Sequence, residues 1–435
     1  MTALTAFVLG PITFWPPADI TLCLKALLAS CPSESETSGS EDGLSKIRVE
    51  CLLAYYEFHH LPGSAAWMRV SRLTRKAHGL GLNQIENPDL CSAFDADTTS
   101  HDTVEDWRLV WWCIYCLDSY SNISSGSPFV VDPESINTAL PSRLVNGDLP
   151  VAPSDSQPQR IFLADDLNDL WETVQQIVKG HHAVDLNLHL VATTVLRRAG
   201  HLLRIRSEKG PGSVQARLDG LKRSLALLRL ALPSRYFHPS RLVINGESKK
   251  QHHMRLTNLL LMHMAFLIVA LPGDRAEDGA GWTDCLQSAF HPAQDIASVV
   301  ENWNNNFNSQ TDPAICLIIY AALQVLYLHR RSGIGSTPSS HTMQSENLLH
   351  LFLTQFGGIW SLPRKLAQLY CVARETDAGP LSSAEIDILL KRARTPLHPK
   401  FANSHLMVTE HPSSTTFPDL TLDFIDPVEL LSFVL

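Results

Sequence analysis

A chain of 435 residues with 45% hydrophobic and 18% charged side chains has enough apolar material for a large core, which excludes the disordered class. Its formal net charge of −9 repels a polyphosphate backbone over the molecule as a whole, so nucleic-acid binding would need a local basic module. The nine cysteines have no recurring spacing, and several sit inside apolar runs such as AICLIIY from Ala314, which points to a reducing compartment rather than a disulfide scaffold.

The N-terminal stretch MTALTAFVLGPITFWPP is apolar, has no Lys or Arg before Lys25, and is broken by Pro11, Pro16 and Pro17. It lacks the charged opening of a secretory signal. With the acidic, Ser-rich SESETSGSEDG from Ser33 it forms a first segment, residues 1–45, read as an apolar stretch and a linker. From residue 46 to 400 the hydrophobic period is helical almost everywhere. Between Ser64 and Leu82, Ala66, Val70, Leu73, Ala77 and Leu80 recur at steps of three and four, one stripe of a helix, with Gly79 and Gly81 at its end. Arg69, Arg72, Arg75 and Lys76 lie on the same helix and are expected to form a solvated face.

EDWRLVWWCIYCLDSY from Glu105 opens with acids, which suit a helix N-terminus, and is then apolar on all sides. This predicts a central buried helix ending at Asp118, whose carboxylate would satisfy backbone donors of the loop that follows. SSGSP is a turn, and Asp132-Pro133-Glu134 carries an N-cap and a first-turn proline, predicting another helix. Val151 to Gln159, EKGPGS from Glu208 and RSGIGSTPSS from Arg331 are loops. The apolar stretches Leu256–Leu271 and Ala314–Leu328 fall short of the roughly 20 residues that span a bilayer, so they are expected as buried helices and no membrane is implied. Asp312-Pro313 repeats the helix-start pattern, and Ser382 with Glu385 makes a capping box. No alternating strand pattern runs for more than a few residues, so the fold expected is all-α, a large multi-helix domain. Residues 401–435 form a tail in which Asp419, Asp423, Asp426 and Glu429 interleave with Leu420, Phe424, Ile425, Leu430 and Phe433, the composition either of an acidic-hydrophobic activation segment or of a short terminal helix after Pro427 that docks on the domain's own core.

Cys113 and Cys116 form a C-x-x-C with no second pair of ligands nearby, and their neighbours Trp111, Trp112, Ile114 and Leu117 place them in the core. The pairs His59-His60, His181-His182 and His252-His253 point about 100° apart on a helix; each is expected to be solvated or capping. Asp165-Asp166-Leu-Asn-Asp169 is a DDxxD that on a helix would align carboxylates for Mg²⁺ and a diphosphate, as in helical terpene synthases. No partner metal motif follows it. Nucleotide-binding loops, nucleophile elbows and H-E-x-x-H are absent from the sequence, so no catalytic, cofactor-binding or metal-ligating residue is assigned.

Two strings read together carry a resemblance. In CLLAYYEFHHLPGSAAWMRVSRLTRKAHGLGLNQ, Cys51 to Gln84, a helix and a glycine turn precede Ala66-Trp67, Arg69, Arg72 and the closing Gly79-Leu80-Gly81-Leu82. In EDWRLVWWCIYCLDSYSNISSGSPFVVDPESINTALPS, Glu105 to Ser142, the residues Arg108, Trp111, Trp112, Tyr115, Leu117, Asp118, Gly126, Pro128, Ile136, Leu140 and Pro141 fall in order. Both resemble the fungal-specific transcription factor domain, the middle homology region of zinc binuclear cluster transcription factors. DPAICLIIYAALQVLYLHRR and FGGIWSLPRKL resemble later helices of the same region.

The resemblance implies a helical regulatory domain, a nuclear location and no catalysis. Family members carry a basic six-cysteine cluster that binds DNA; no such run occurs in these 435 residues, so direct sequence-specific DNA binding by this chain is not expected. Partners implied are the transcription machinery or a cluster-bearing relative, in a homo- or heterodimer, and an effector small molecule. The rival readings are a Mg²⁺-dependent prenyl diphosphate enzyme resting on Asp165, Asp166 and Asp169, and a stand-alone interaction partner of a cluster-bearing factor.

Overall fold

The computed structural model describes residues 17–30, 41–94, 99–142, 160–180, 183–209, 214–272, 281–332, 340–376 and 383–399, together with Leu4 and Leu381. Every regular element among them is a helix and none is a strand, so the fold is all-α. The α-helices are α1 Pro17–Ser30, α2 Glu41–His60, α3 Ser64–Gly79, α4 His101–Ser125, α5 Leu170–Gly180, α6 Val184–Lys209, α7 Gln215–Ala231, α8 Lys249–Ala270, α9 Gly281–Glu301, α10 Ile315–Arg331, α11 Ser340–Phe356, α12 Ser361–Thr376 and α13 Ser383–Arg394.

The periodic positions of α3 bury as the stripe predicts, with Ala66, Val70, Leu73 and Ala77 all inside. Its exit depends on Gly81, at φ 71°. A Cβ there would run into the carbonyl oxygen of Leu90, so only glycine fits the turn. The face expected to be solvated is partly engaged: Arg69 pairs with Glu57 and donates to the Leu28 carbonyl at 3.0 Å, and Lys76 reaches Glu50 at 2.6 Å. Only Arg72 and Arg75 of that set are exposed.

Ser100 caps α4 by accepting from the Thr103 amide at 3.3 Å, and the helix runs on to Ser125, where Gly126 ends it at φ 73°. It therefore continues past Asp118, the predicted end, because SYSNISS remains helical and buries Ser119, Ser121, Asn122, Ser124 and Ser125. Asp132-Pro133-Glu134 starts only a single 3₁₀ turn, Pro133–Ser135, not a full helix. The start signal at Asp312 does open α10, since its carboxylate accepts from the Ala314 amide at 2.8 Å. Ser382 lies outside the described residues, as do His181, His182 and the tail.

Helices α2, α3 and α4 pack on one another; α6 lies between α4 and α8, and α8 leads through α9 to α10, against which α11, α12 and α13 also pack. α12 returns to touch α2. The result is one continuous apolar core with contributions from Leu4 to Leu397. Ile20 and Leu24 of α1 belong to it and α2 begins at Glu41, so helices occupy much of the segment read as apolar stretch and linker. Residues 315–328 of α10 are buried on all sides. The apolar stretch at 256–271 sits in a longer helix than expected, because a capping box of Ser248 and Gln251 starts α8 at Lys249. By length and composition α8 could cross a membrane, yet 78% of its most apolar stretch is buried in the fold.

Candidate functional site

Several polar residues of the α4 string hold one strap, residues 129–142. Asp118, fully buried, accepts from the amides of Val130 and Val131, each at 3.2 Å, and from Asn122 Nδ2 at 2.7 Å. Arg197 of α6 completes the arrangement: its guanidinium donates to Asp118 Oδ2 at 2.7 Å and to the Val131 carbonyl. The Phe129 ring covers the guanidinium at 4.0 Å. Nearer the start of α4, Arg108 pairs with Glu105 and Glu86, and Glu105 accepts from the Ser142 amide at 2.9 Å. Trp112 Nε1 donates to the Ala139 carbonyl at 2.9 Å. Each charge is spent on holding strap to helix, as buried charges must be when water cannot reach them.

A second polar centre forms at the start of α10, where α2, α4, α6 and α8 also converge. Asp312 is 6% exposed. Its Oδ1 receives the Ala314 amide and lies 3.1 Å from Nε2 of His59. That imidazole is fully buried, ringed by Tyr55, Phe58 and Trp360 with centroids 4.5, 4.7 and 5.8 Å away. Neither His59 nitrogen is aligned for a hydrogen bond, and Asp312 Oδ2 accepts none among the described residues. Burial first, and the Asp312 charge second, push the Tyr55 and Cys316 groups to higher pKa.

His189 of α6 faces the same centre. Asn258 Nδ2 donates to the Asp185 carbonyl at 3.0 Å, so its Oδ1 faces His189 Nδ1 at 3.1 Å, and that nitrogen holds the proton. Nε2 then accepts from the Tyr120 hydroxyl at 2.9 Å, which accepts in turn from Thr193 at 3.0 Å. Burial lowers the His189 pKa, opposed by the Asp312 charge. His253 of α8 stacks on Phe307 at 4.7 Å and meets Thr311 Oγ1 at 2.6 Å. Thr311 already donates to the Phe307 carbonyl at 2.7 Å, so His253 Nε2 is the donor and Nδ1 is a bare acceptor. Nδ1 has no partner among the described residues. Burial, then the His252 charge, lowers the His253 pKa to about 3, keeping it neutral.

His189, His253, Asn258, Thr311 and Asp312 line a cavity of about 60 Å³ that meets solvent at Lys250 and Gln310. A more apolar cavity of about 30 Å³ shares Asp312 and His189 with it and continues toward Leu261 and Ile315.

The residues singled out from sequence fall elsewhere. Asp165, Asp166 and Asp169 are exposed and lie in a bend and turn before α5, not along a helix. Asp166 accepts from the amide and side chain of Asn168, each at 3.0 Å, and the Asp169 carbonyl receives the Glu172 amide at 2.9 Å; the acids organise the entry to α5. Cys113 and Cys116 are fully buried in α4, where burial raises both thiols. Among the described residues no three His, Cys, Asp or Glu side chains converge as metal ligands. Of the described histidines expected to be solvated or capping, His59 and His253 are core residues instead, while His252 does cap the Pro239 carbonyl at 2.8 Å. A usable signal for His59 was its place four residues beyond Tyr55, on the buried stripe of α2; Arg197 and Asn258 carry no local signal, since their partners lie far away in sequence.

Residues 19–224 match the model of the fungal-specific transcription factor domain. The matched span takes in α4 with its strap and ends within α7, so Asp312 lies outside it. No curated protein and no solved structure matches the chain.

Proposed function

Starting from a chain that carries a fungal-specific transcription factor domain, we propose that it is the regulatory body of a transcription regulator. It acts in the nucleus through protein partners, either the transcription machinery or a cluster-bearing relative with which it dimerises, and a small-molecule effector modulates it. The chain contributes no groove-reading module of its own, since its net charge of −9 opposes DNA and no basic cysteine cluster lies in its sequence. What supports a non-enzymatic reading is the use made of the matched polar residues. Arg108 and Asp118 are committed to ion pairs and backbone amides of the strap, leaving neither free to act as an acid, base or ligand.

The observation that carries the proposal is the family match over residues 19–224. Tethering the full chain to a foreign DNA-binding module upstream of a reporter tests it. Reporter output that rises or falls well beyond that of the module alone is expected, and output indistinguishable from the module would count against the proposal.

A further inference from the structure

Asp312 is the least satisfied charge in the core. A carboxylate offers about four acceptor sites, and a buried one is normally matched by a counter-charge or several donors. Asp312 receives one backbone amide; His59 approaches Oδ1 without the alignment of a hydrogen bond, and Oδ2 accepts nothing among the described residues. His253 Nδ1, on a residue that lines the same cavity and is 6% exposed, is also an acceptor without a partner among the described residues. The other polar groups are committed: His189 to Tyr120 and Asn258, and Thr311 to His253 and Phe307. Away from Lys250 and Gln310 at the solvent side, the unpartnered polar atoms of the lining are thus both acceptors, and they ask for a donor-rich cation.

Size narrows the class. One water needs roughly 10–15 Å³ of such space, so a cavity of about 60 Å³ takes a molecule of only a few non-hydrogen atoms. A primary ammonium group carries three N–H donors and a positive charge within that volume, and the charge-assisted bond to a carboxylate is the stronger kind. We propose that the cavity between α8 and the start of α10 is a binding site for a small primary ammonium compound, held by Asp312 Oδ2 and His253 Nδ1. The ammonium belongs either to a simple amine or to a small amino acid, whose carboxylate would face Lys250 at the solvent side. Such a ligand joins α8 to α10 at a point also touched by α2, α4 and α6, so occupancy couples the matched region to the C-terminal helices. The binding is a property of the chain alone and stands or falls independently of the transcriptional reading.

Calorimetric titration of the purified full chain with ethylammonium, alanine and acetate at constant ionic strength tests it. Saturable binding of ethylammonium or alanine is expected, with acetate silent. Tighter binding of ethylammonium would identify a simple amine, and tighter binding of alanine an amino acid. Asp312→Asn should weaken the favoured ligand at least about tenfold. Thr257→Leu, at a half-buried lining position in mid-α8, should weaken it similarly by filling the cavity, and decides the matter should Asp312→Asn not fold. Absence of binding by both amines up to about 50 mM, equal binding of acetate, or unchanged affinity in the folded variants would overturn the proposal.

Discussion

Asp118 and Arg197 lie within 2.7 Å of each other, both essentially out of contact with water. Removing one member of such a pair leaves the other charge buried alone, which typically costs about 3–5 kcal/mol. Asp118→Ala should therefore lower stability by that amount in urea unfolding, and should raise proteolytic cleavage within residues 129–142 as the strap loses two amide acceptors. Titration supplies a second prediction at this scale. The folded-state pKa of His253, about 3, lies below the unfolded value of about 6.5, so the unfolded chain binds the extra proton between those limits and stability falls as pH falls through that window. His60, lowered to about 4 chiefly by burial, acts in the same direction. At pH 5 the His253 contribution alone amounts to about 2 kcal/mol lost relative to pH 7. Unfolding curves for His253→Phe and the parent chain should accordingly differ in slope against pH, the variant being flatter by up to one proton.

Local pattern carried the elements far better than it carried their partners. The stripe of α3 and the all-round burial of α4 are written in neighbouring residues, because a 3.6-residue period acts over a few positions, whereas Asp118 reaches the following strap from inside the helix, 12 and 13 residues away in sequence. The true end of α4 was not legible: polar SYSNISS looks like a turn, but its serines bond back to carbonyls of their own helix, as Ser119 does to Tyr115 at 2.7 Å and Ser125 to Ser121 at 2.8 Å. Asp132-Pro133 failed as a helix start because the chain after it is held as a strap by Glu86 and Trp112. At this scale Trp111→Ala is predicted to cost about 3–5 kcal/mol, since the side chain is fully buried in α4; an unchanged melting transition would remove the string's structural role. The acidic-hydrophobic tail offers the other test: residues 410–435 fused to a foreign DNA-binding module should activate a reporter, and Phe424→Ala with Leu430→Ala should silence it.

Across the whole molecule, the family match ends in α7 while the core continues unbroken to Leu397. The all-α class was plain from periodicity and the lack of alternating strands. The polar centre around Asp312 was not, because His59, His189 and His253 come from three different helices, and only tertiary packing brings them to Asp312 at the start of α10. Asp312 was legible as a cap but not as a buried charge. A single fold in which the matched helices and the later ones share a charged centre suits a regulatory body, where an event at one end biases the other. The most direct measurement is of nascent transcripts in the source organism within minutes of depleting the chain. A defined set of genes should change synthesis rate at once, before metabolite levels shift; nascent transcription that stays at its starting rates throughout, with metabolites changing first, would contradict a regulatory role in transcription.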